Sequence, residues 1–435
     1  MPPKQFKRRG PKWFKKRGYR HFDRPVGHAF VKKAMDRSFV EKHAFSPLIH
    51  YTKSETRYKK CPKSRTRSIS TKDRPIKYAS HRDACILAFY ADLLNKRLDG
   101  HYAISGFGDS VIAYRSLGKS NYDFAAEAVA FANANSPATI LAFDVTNFFD
   151  TLDHALLKKR LKSVLGVDEL SPDWYQVFRF ITRFHFIEME DLREHPVFGP
   201  RLKQKGLTQI ASVEELKQAG VPFRPNPEIS RKRGIPQGTP ISAAASNLYM
   251  LDFDKAAREF CDNLGALYRR YSDDILVICK PQDAAAVEAE VKRLLACEKL
   301  EISPHKTEIT QFDRSVSGPR RKKPAQYLGF NLDENGPTIR ENSLGRQWRK
   351  LRRAVRRAKQ SAAWRARRGI PGKTFTKRLR KRFSCINVYD GVSLRPIRNF
   401  SSYARRSSAA LGPDDKILQQ IRRLERTALN EISKL

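Results

Sequence analysis

Acidic residues are the scarce charge in this chain: 45 Asp and Glu stand against 85 Lys and Arg in 435 residues, a formal net charge of +40. A protein so short of carboxylates is built to neutralise a polyanion, most often nucleic acid. A membrane-surface role would gather the charge on one amphipathic segment, whereas here it is spread over both ends. Cysteine is sparse as well. The six present (Cys61, Cys85, Cys261, Cys279, Cys297, Cys385) form no C-x-x-C and no Cys/His pairing at zinc spacing, so zinc modules are excluded and free thiols in a reducing compartment are expected. No run approaches 18 apolar residues, and the basic N-terminus has no apolar stretch of leader length. The expectation is a soluble, cytoplasmic protein with no membrane segment. What is abundant, 40% hydrophobic and 10% aromatic residues, provides for a folded body of two or three domains.

Two adjacent carboxylates stand out against this background. Leu267–Cys279, LYRRYSDDILVIC, places Ser272-Asp273-Asp274 between two β-rich runs, the pattern of a hairpin. By itself this would read as an ordinary Asp turn. About 130 residues upstream, ILAFDVTNFFD (140–150) is another apolar strand ending on a carboxylate, Asp144, and Gly234-Ile235-Pro236-Gln237-Gly238-Thr239-Pro240 lies between the two. Pairing these strands would bring the three carboxylates together. In this order, the three elements resemble the palm of a reverse transcriptase.

The rest of the chain is consistent with that resemblance. Residues 1–72 hold twenty-two Lys/Arg and four Asp/Glu, interleaved with Trp13, Phe14, Tyr19, Phe22 and Phe30. They read as a basic extension that orders on RNA, its rings stacking on bases. Over 73–138, His81–Leu98 and Asp123–Asn133 have helical spacing and Asp109–Leu117 reads as a strand or strand-turn. With RPIKYASHRD and AYRSLGKS, this region resembles the fingers. A palm follows over 139–335: a helix at Leu152–Val164, a weakly periodic insertion at about 184–233, a helix opened by Pro240 and running to about Asn263, the hairpin, and a helix at Gln282–Ala296. ISPHKTEI (302–309) and QYLGFNL (326–332) resemble the sixth and seventh motifs of the family. Between Asn342 and Tyr389 there are seventeen Lys/Arg and no Asp/Glu, on a helix with the apolar stripe Trp348, Leu351, Val355, Ala358 and Ala362. With a last helix beginning near Pro413-Asp414, region 336–435 resembles a thumb. The expected fold is α+β, a right-hand polymerase whose antiparallel palm sheet is backed by helices.

Joining a nucleotide to a 3′-hydroxyl requires charge stabilisation on an attacking and a leaving oxygen, which two Mg²⁺ ions roughly 3.5–4 Å apart supply; Mn²⁺ is a possible substitute. Asp144, Asp273 and the Val145 carbonyl are the expected ligands. Asp274 is assigned a peripheral or electrostatic place, because neighbouring residues on extended chain point to opposite sides. Three acids sharing a site would repel one another without metal. The resemblance implies further roles. Phe149, at the fifth step after Asp144, would stand beside the sugar of the incoming nucleotide and exclude a 2′-hydroxyl. Gln237 would align template and sugar, and Lys77 and Arg115 would meet the triphosphate. Lys306 would balance carboxylate charge. Tyr327, Leu328 and Gly329 would grip the primer end. Arg349, Arg352, Arg353, Arg356 and Arg357 would hold RNA backbone, with Trp13, Tyr19 and Trp364 as stacking surfaces.

Within the retron and group II intron-like enzymes, the chain lacks a Val-Thr-Gly near the seventh motif and a zinc-bearing endonuclease. AYR in the fingers and NFSSYARRS (399–407) make it look most like the bacterial defence-associated reverse transcriptases. This implies a structured non-coding RNA as template and primer, dNTP substrates, a cDNA product and a setting in antiviral defence. Two other readings are an RNA-binding maturase or scaffold with a vestigial palm, and an untemplated or protein-primed DNA polymerase. Oligomeric state is not legible.

Overall fold

The computed structural model describes residues 10–60, 67–303, 307–314, 324–332, 334–371, 374, 376–385, 398–412 and 416–435, with side chains of 57–70 not described. Among the described residues, eleven strands form three sheets. In chain order they are β1 (Leu48–Lys60), β2 (Arg67–Tyr78), β3 (Ala138–Asp144), β4 (His185–Glu188), β5 (Arg224–Pro225), β6 (Leu267–Tyr271), β7 (Asp274–Cys279), β8 (Glu308–Phe312), β9 (Ala325–Tyr327), β10 (Phe330–Leu332) and β11 (Thr338–Ile339).

The palm sheet runs β6-β7-β3-β8 with every pair antiparallel. Its central strands β3 and β7 are almost continuously apolar because both faces are buried. Alternation along β3 and β7 sends Leu141, Phe143, Ile275, Val277 and Cys279 into the larger core, with the helices His81–Ser105, His154–Leu165, Ser242–Tyr249 and Leu251–Asn263. Ile140, Leu276 and Ile278 enter a second core under the helices Asn121–Ala134 and Phe400–Leu411 and the small β9-β10-β11 sheet. The sheet is thus covered on both sides. Each fully buried Leu or Ile here contributes about 1.5–3 kcal/mol of transfer free energy.

The fingers correct two expectations. The boundary at residue 72 falls inside β2, which pairs with β1 from Ile49↔Tyr78 outward, so the N-terminal region is part of a sheet. The segment 184–233 is not a palm appendage. Its β4 pairs in parallel with β1 through Leu48↔Phe186, and Ile187, Leu192, Phe198, Ile210 and Leu216 share a core with Phe22 and Ile49. Weak periodicity concealed this because short elements with few residues each carry the apolar positions. The helix expected to run from Pro240 to Asn263 is two helices, Ser242–Tyr249 and Leu251–Asn263. Asp109–Leu117 makes only a single bridge, Val111 with Arg270.

In the thumb, the helix Glu341–Ala366 buries Leu351 and Val355 against Phe383, Ala428 and Ile432. Ala428 and Ile432 come from the last helix, Lys416–Ser433, whose stripe of Ile417, Ile421, Leu424 and Ala428 is buried as the spacing predicts. Among the described residues, no helix is long and apolar enough to cross a membrane.

Candidate active site

A two-residue turn, Ser272-Asp273, joins β6 to β7 and brings the carboxylates together. Ser272 adopts φ 61°, a left-handed conformation that costs a non-glycine residue energy and persists only when neighbours fix it. Three do. Arg270 Nη1 donates to the Ser272 carbonyl at 2.9 Å, Val145 N donates to the Asp273 carbonyl at 3.3 Å, and the Tyr114 hydroxyl donates to Ser272 Oγ at 3.2 Å. Tyr114 is itself at φ 63° and 44% exposed, so two strained residues meet at the tip of the turn.

Register decides which carboxylates share a face. Asp144 is the cross-strand partner of Asp274, and directly opposed residues of an antiparallel pair project to the same side. Asp273 sits in the turn beside them. Ser303 N donates to the Asp144 carbonyl at 2.8 Å, tying the end of β3 to the following segment. Burial and crowding raise the proton affinity of Asp273 and Asp274. Burial, then the charges of Asp273 and Asp144, push Asp274 up to about 6 against the opposing pull of Arg340 and Lys72. Asp273 is also raised, by burial first and by Asp144. Carboxylates that repel one another this way have the chemistry of a cation site. Among the described residues no three His, Cys, Asp or Glu side chains stand as a ready metal cage. Mg²⁺ does not need one, since it takes one or two carboxylates and completes its shell with water and substrate phosphates. The donor set present therefore fits that ion.

Beneath the turn lies a fully buried ion pair. Arg270 and Asp254 are both 0% exposed and meet at 2.6 Å; Asp254 also accepts from the Tyr268 hydroxyl at 2.6 Å. Asn247 accepts from Arg270 and donates to the Ala113 carbonyl at 2.9 Å, so one network supports both the turn and the Tyr114 loop.

A second group of residues lies on the loop Gly234–Pro240. Ile235 N donates to the Phe149 carbonyl and Lys77 N to the Gln237 carbonyl, both at 2.8 Å. At Gly238, φ is +120° and a Cβ would stand 2.8 Å from the Lys77 carbonyl, so only glycine lets the loop approach β2 this closely. Phe149, Gln237 and Lys77, far apart in sequence, are thus joined by backbone bonds.

The sequence profile described as Reverse transcriptase (RNA-dependent DNA polymerase) matches residues 62–332. The chain belongs to the reverse transcriptase family. It has the α+β right-hand fold of that family. No curated protein matches the chain in sequence. Solved structures similar to it include a telomerase from Candida tropicalis truncated of its C-terminal domain, at 12% identity and TM-score 0.42, covering 66% of this chain and 55% of that one. Another is telomerase from Candida albicans with a fragment of telomeric RNA, at 13% identity and TM-score 0.42, covering 92% and 66%. Apo telomerase from Candida tropicalis gives 14% identity and TM-score 0.42, covering 97% and 67%. The chain spans 55% of the length of the first.

Several residues expected in this reverse transcriptase's site are placed elsewhere. The Arg115 guanidinium is only 8% exposed and fully engaged inside the fingers: it pairs with Asp99 at 2.8 Å, donates to the Gly108 and Val111 carbonyls, and lies over the Tyr102 ring. That leaves it no free face for a triphosphate. Lys77 is 5% exposed, with its ammonium over the rings of Phe184 and Phe186. Tyr19 donates its hydroxyl to the Ala79 carbonyl and stacks on His81, and Trp13 packs against Phe14 and Phe89, so both rings serve the fold instead of bases. Lys306 lies outside the described residues. In the seventh motif, Leu328 (φ 45°) and Gly329 (φ 96°) form a tight turn between β9 and β10. Tyr327 is buried below it, leaving the Leu328-Gly329 tip as the accessible part. Arg349, Arg352, Arg353, Arg356 and Arg357 are all exposed on the thumb helix. Trp364 is 52% exposed with Arg368 over its ring.

Sequence reasoning missed Lys72 and Arg340, the cations whose charge opposes the proton affinity of Asp274. It also missed the Arg270–Asp254 pair. An arginine at an inward position between Tyr268 and Tyr271 was the available signal, since a buried guanidinium demands a carboxylate.

Proposed function

We propose that this reverse transcriptase copies a dedicated structured non-coding RNA into cDNA from dNTPs, by two-metal nucleotidyl transfer at Asp144, Asp273 and Asp274. The observation that carries this is the register of β3 against β7, which opposes Asp144 to Asp274 next to the Ser272-Asp273 turn. Two Mg²⁺ ions would be held by these carboxylates and the Val145 carbonyl, and would supply charge stabilisation for the attacking and leaving oxygens. The chain's own residues do the rest. Phe149 screens the sugar of the incoming nucleotide, Gln237 aligns it, and the Leu328-Gly329 tip meets the primer end. The charges of Lys72 and Arg340 oppose the raised proton affinity of Asp274.

Template preference follows from charge. With +40 overall, the protein would bind nucleic acid indiscriminately unless the shape of one RNA supplied the preference. The exposed arginines of the thumb helix are the backbone-holding surface. The likeness of the AYR and NFSSYARRS segments to defence-associated enzymes supports a setting in cytoplasmic antiviral defence. Sequencing the nucleic acid that co-purifies, with and without dNTPs, tests the proposal. One enriched RNA and its complementary DNA are expected; a random sample of cellular transcripts would overturn it.

A further inference from the structure

We propose that a basic cleft walled in part by the 184–233 segment holds a single-stranded stretch of the bound RNA, at a site separate from the polymerising carboxylates. The occupant rests on the reading of the chain as an RNA-bound polymerase; the cleft itself follows from the fold.

The cleft is a cavity of about 420 Å³ between elements far apart in sequence. One wall is the stretch 44–47 docked on the helix Pro172–Thr182: the Phe45 ring stacks on Phe180 with centroids 4.3 Å apart, and Gln176 Nε2 donates to the His43 carbonyl at 2.8 Å. A second wall is Val213, Lys217 and Phe223, carried by the short helix Val213–Gln218 and the chain after it. Leu216 anchors that helix in the core shared with Phe22 and Ile49. The 184–233 segment therefore does more than add a strand to the fingers; it completes a pocket.

The lining suits a single strand. Arg179, Arg183 and Lys217 are exposed around the cavity, and among the described residues no ion pair or hydrogen bond engages their side chains. None of the described residues that line it is acidic. Arg179 and Arg183 lie at the end of their helix, where cations favour the negative pole, and this accounts for two of the charges. They also stand four residues apart on one helical face, where like charges repel, and Lys217 adds a third charge from a separate element. Other arginines of the 184–233 segment are matched with acids: Arg193 with Glu190, Arg201 with Glu215 and Arg224 with Asp191. Three cations facing one cavity without a counter-charge call for an anion from outside. Phe45 and Phe223, both half-buried, keep ring surface at the cavity. Rings beside unmatched cations are what single-stranded nucleic acid requires, since its bases stack while its phosphates are neutralised. A double helix keeps its bases inside and could not use the rings.

Binding of a fluorescent oligouridine to the full chain, stripped of co-purified RNA and titrated over a range of salt, tests this. Arg179→Gln/Arg183→Gln/Lys217→Gln should weaken binding about 10-fold and flatten the plot of log affinity against log salt by about two units, at about 0.7 for each phosphate no longer neutralised. Phe45→Leu/Phe223→Leu should weaken binding about 5-fold or more at every salt concentration with the slope unchanged, because stacking carries no charge. Removing three exposed lysines on other elements, Lys159→Gln/Lys255→Gln/Lys280→Gln, should leave affinity and slope near wild type. Thiouridine in the oligonucleotide should photo-crosslink to 44–47 or 213–223. A wild-type slope in the Arg179/Arg183/Lys217 variant, equal flattening by the control lysines, or cross-links confined to the palm and thumb would overturn the proposal. Displacement of the oligouridine by ATP or by poly-glutamate as readily as by RNA would assign the cleft to a free nucleotide or an acidic protein, and overturn it too. Should the ring variant fail to fold, the cation variant decides alone. Binding needs no synthesis, so a chain that makes no cDNA would defeat the proposed function and not this site.

Discussion

Replacing Asp254 with Ala should cost this protein much of its stability. Arg270 and Asp254 are both completely buried and joined by two bonds of 2.6 Å, Nε to Oδ1 and Nη2 to Oδ2. The substitution leaves the guanidinium with only the Ser272 carbonyl at 2.9 Å and Asn247 at 3.3 Å, and it strands the Tyr268 hydroxyl. Breaking such a pair costs about 3–5 kcal/mol, against a total near 5–15 kcal/mol for a typical domain. Urea denaturation followed by circular dichroism reads the change in midpoint at constant slope. An Asp254→Leu/Arg270→Met double variant separates the cost of an orphaned charge from that of the pair itself. It should regain most of the stability, since apolar replacement of a buried pair is often neutral. It should nonetheless polymerise slowly, because the Ser272 carbonyl has lost its donor and the turn carrying Asp273 is no longer pinned. A loss below about 1 kcal/mol in Asp254→Ala, or a double variant as unstable as the single one, would refute this reasoning.

Phe149→Ala should raise rNTP use relative to dNTP in an otherwise active enzyme; an unchanged ratio would show that the ring only packs the palm. His21 gives a pH dependence. Burial holds its imidazole well below the usual range, where Nδ1 accepts from Phe22 N at 2.8 Å and Nε2 is 3.2 Å from the Tyr78 carbonyl. The unfolded state therefore takes up a proton that the folded state refuses, and stability should fall as pH drops below about 6.5. Thermal midpoints of His21→Gln should fall less steeply over that window, and a slope identical to wild type would contradict the assignment. Neutralising Arg352, Arg353, Arg356 and Arg357 together should lower RNA affinity and flatten its dependence on log salt, by about one unit of slope for each phosphate the helix no longer neutralises. An unchanged slope would move the RNA surface elsewhere.

The palm was legible because its signals are local and dense. A strand ending on Asp144, an Asp-Asp turn between β-formers and a Gly-Ile-Pro-Gln-Gly loop each identify an element, and the order identifies the fold. The thumb stripe was legible for the same reason: Leu351 and Val355, and Ile417 to Ala428, recur at helical spacing and are buried as expected. What escaped the reading is set by tertiary partners. Arg115 and Lys77 are cations in the right segments, but Asp99 and Tyr102 claim one and the rings of Phe184 and Phe186 the other. Trp13 and Tyr19 looked like stacking surfaces on a basic arm, yet Phe89 and His81, which receive them, lie on a helix some sixty residues or more further along. Alternation placed Asp273 and Asp274 on opposite sides, as for extended chain, whereas the left-handed Ser272 makes Asp273 a turn residue and puts Asp274 in register with Asp144.

The central claim is that RNA-templated DNA synthesis occurs at the Asp144, Asp273 and Asp274 site. It is tested most directly by supplying dNTPs and Mg²⁺ to the purified protein with its bound RNA and sequencing the DNA formed, for wild type, Asp144→Asn and Asp273→Asn. DNA complementary to one RNA should appear with wild type alone, while both variants keep the wild-type thermal midpoint and retain the RNA. Normal synthesis by either variant, or wild-type DNA with no complement in the bound RNA, would contradict the account.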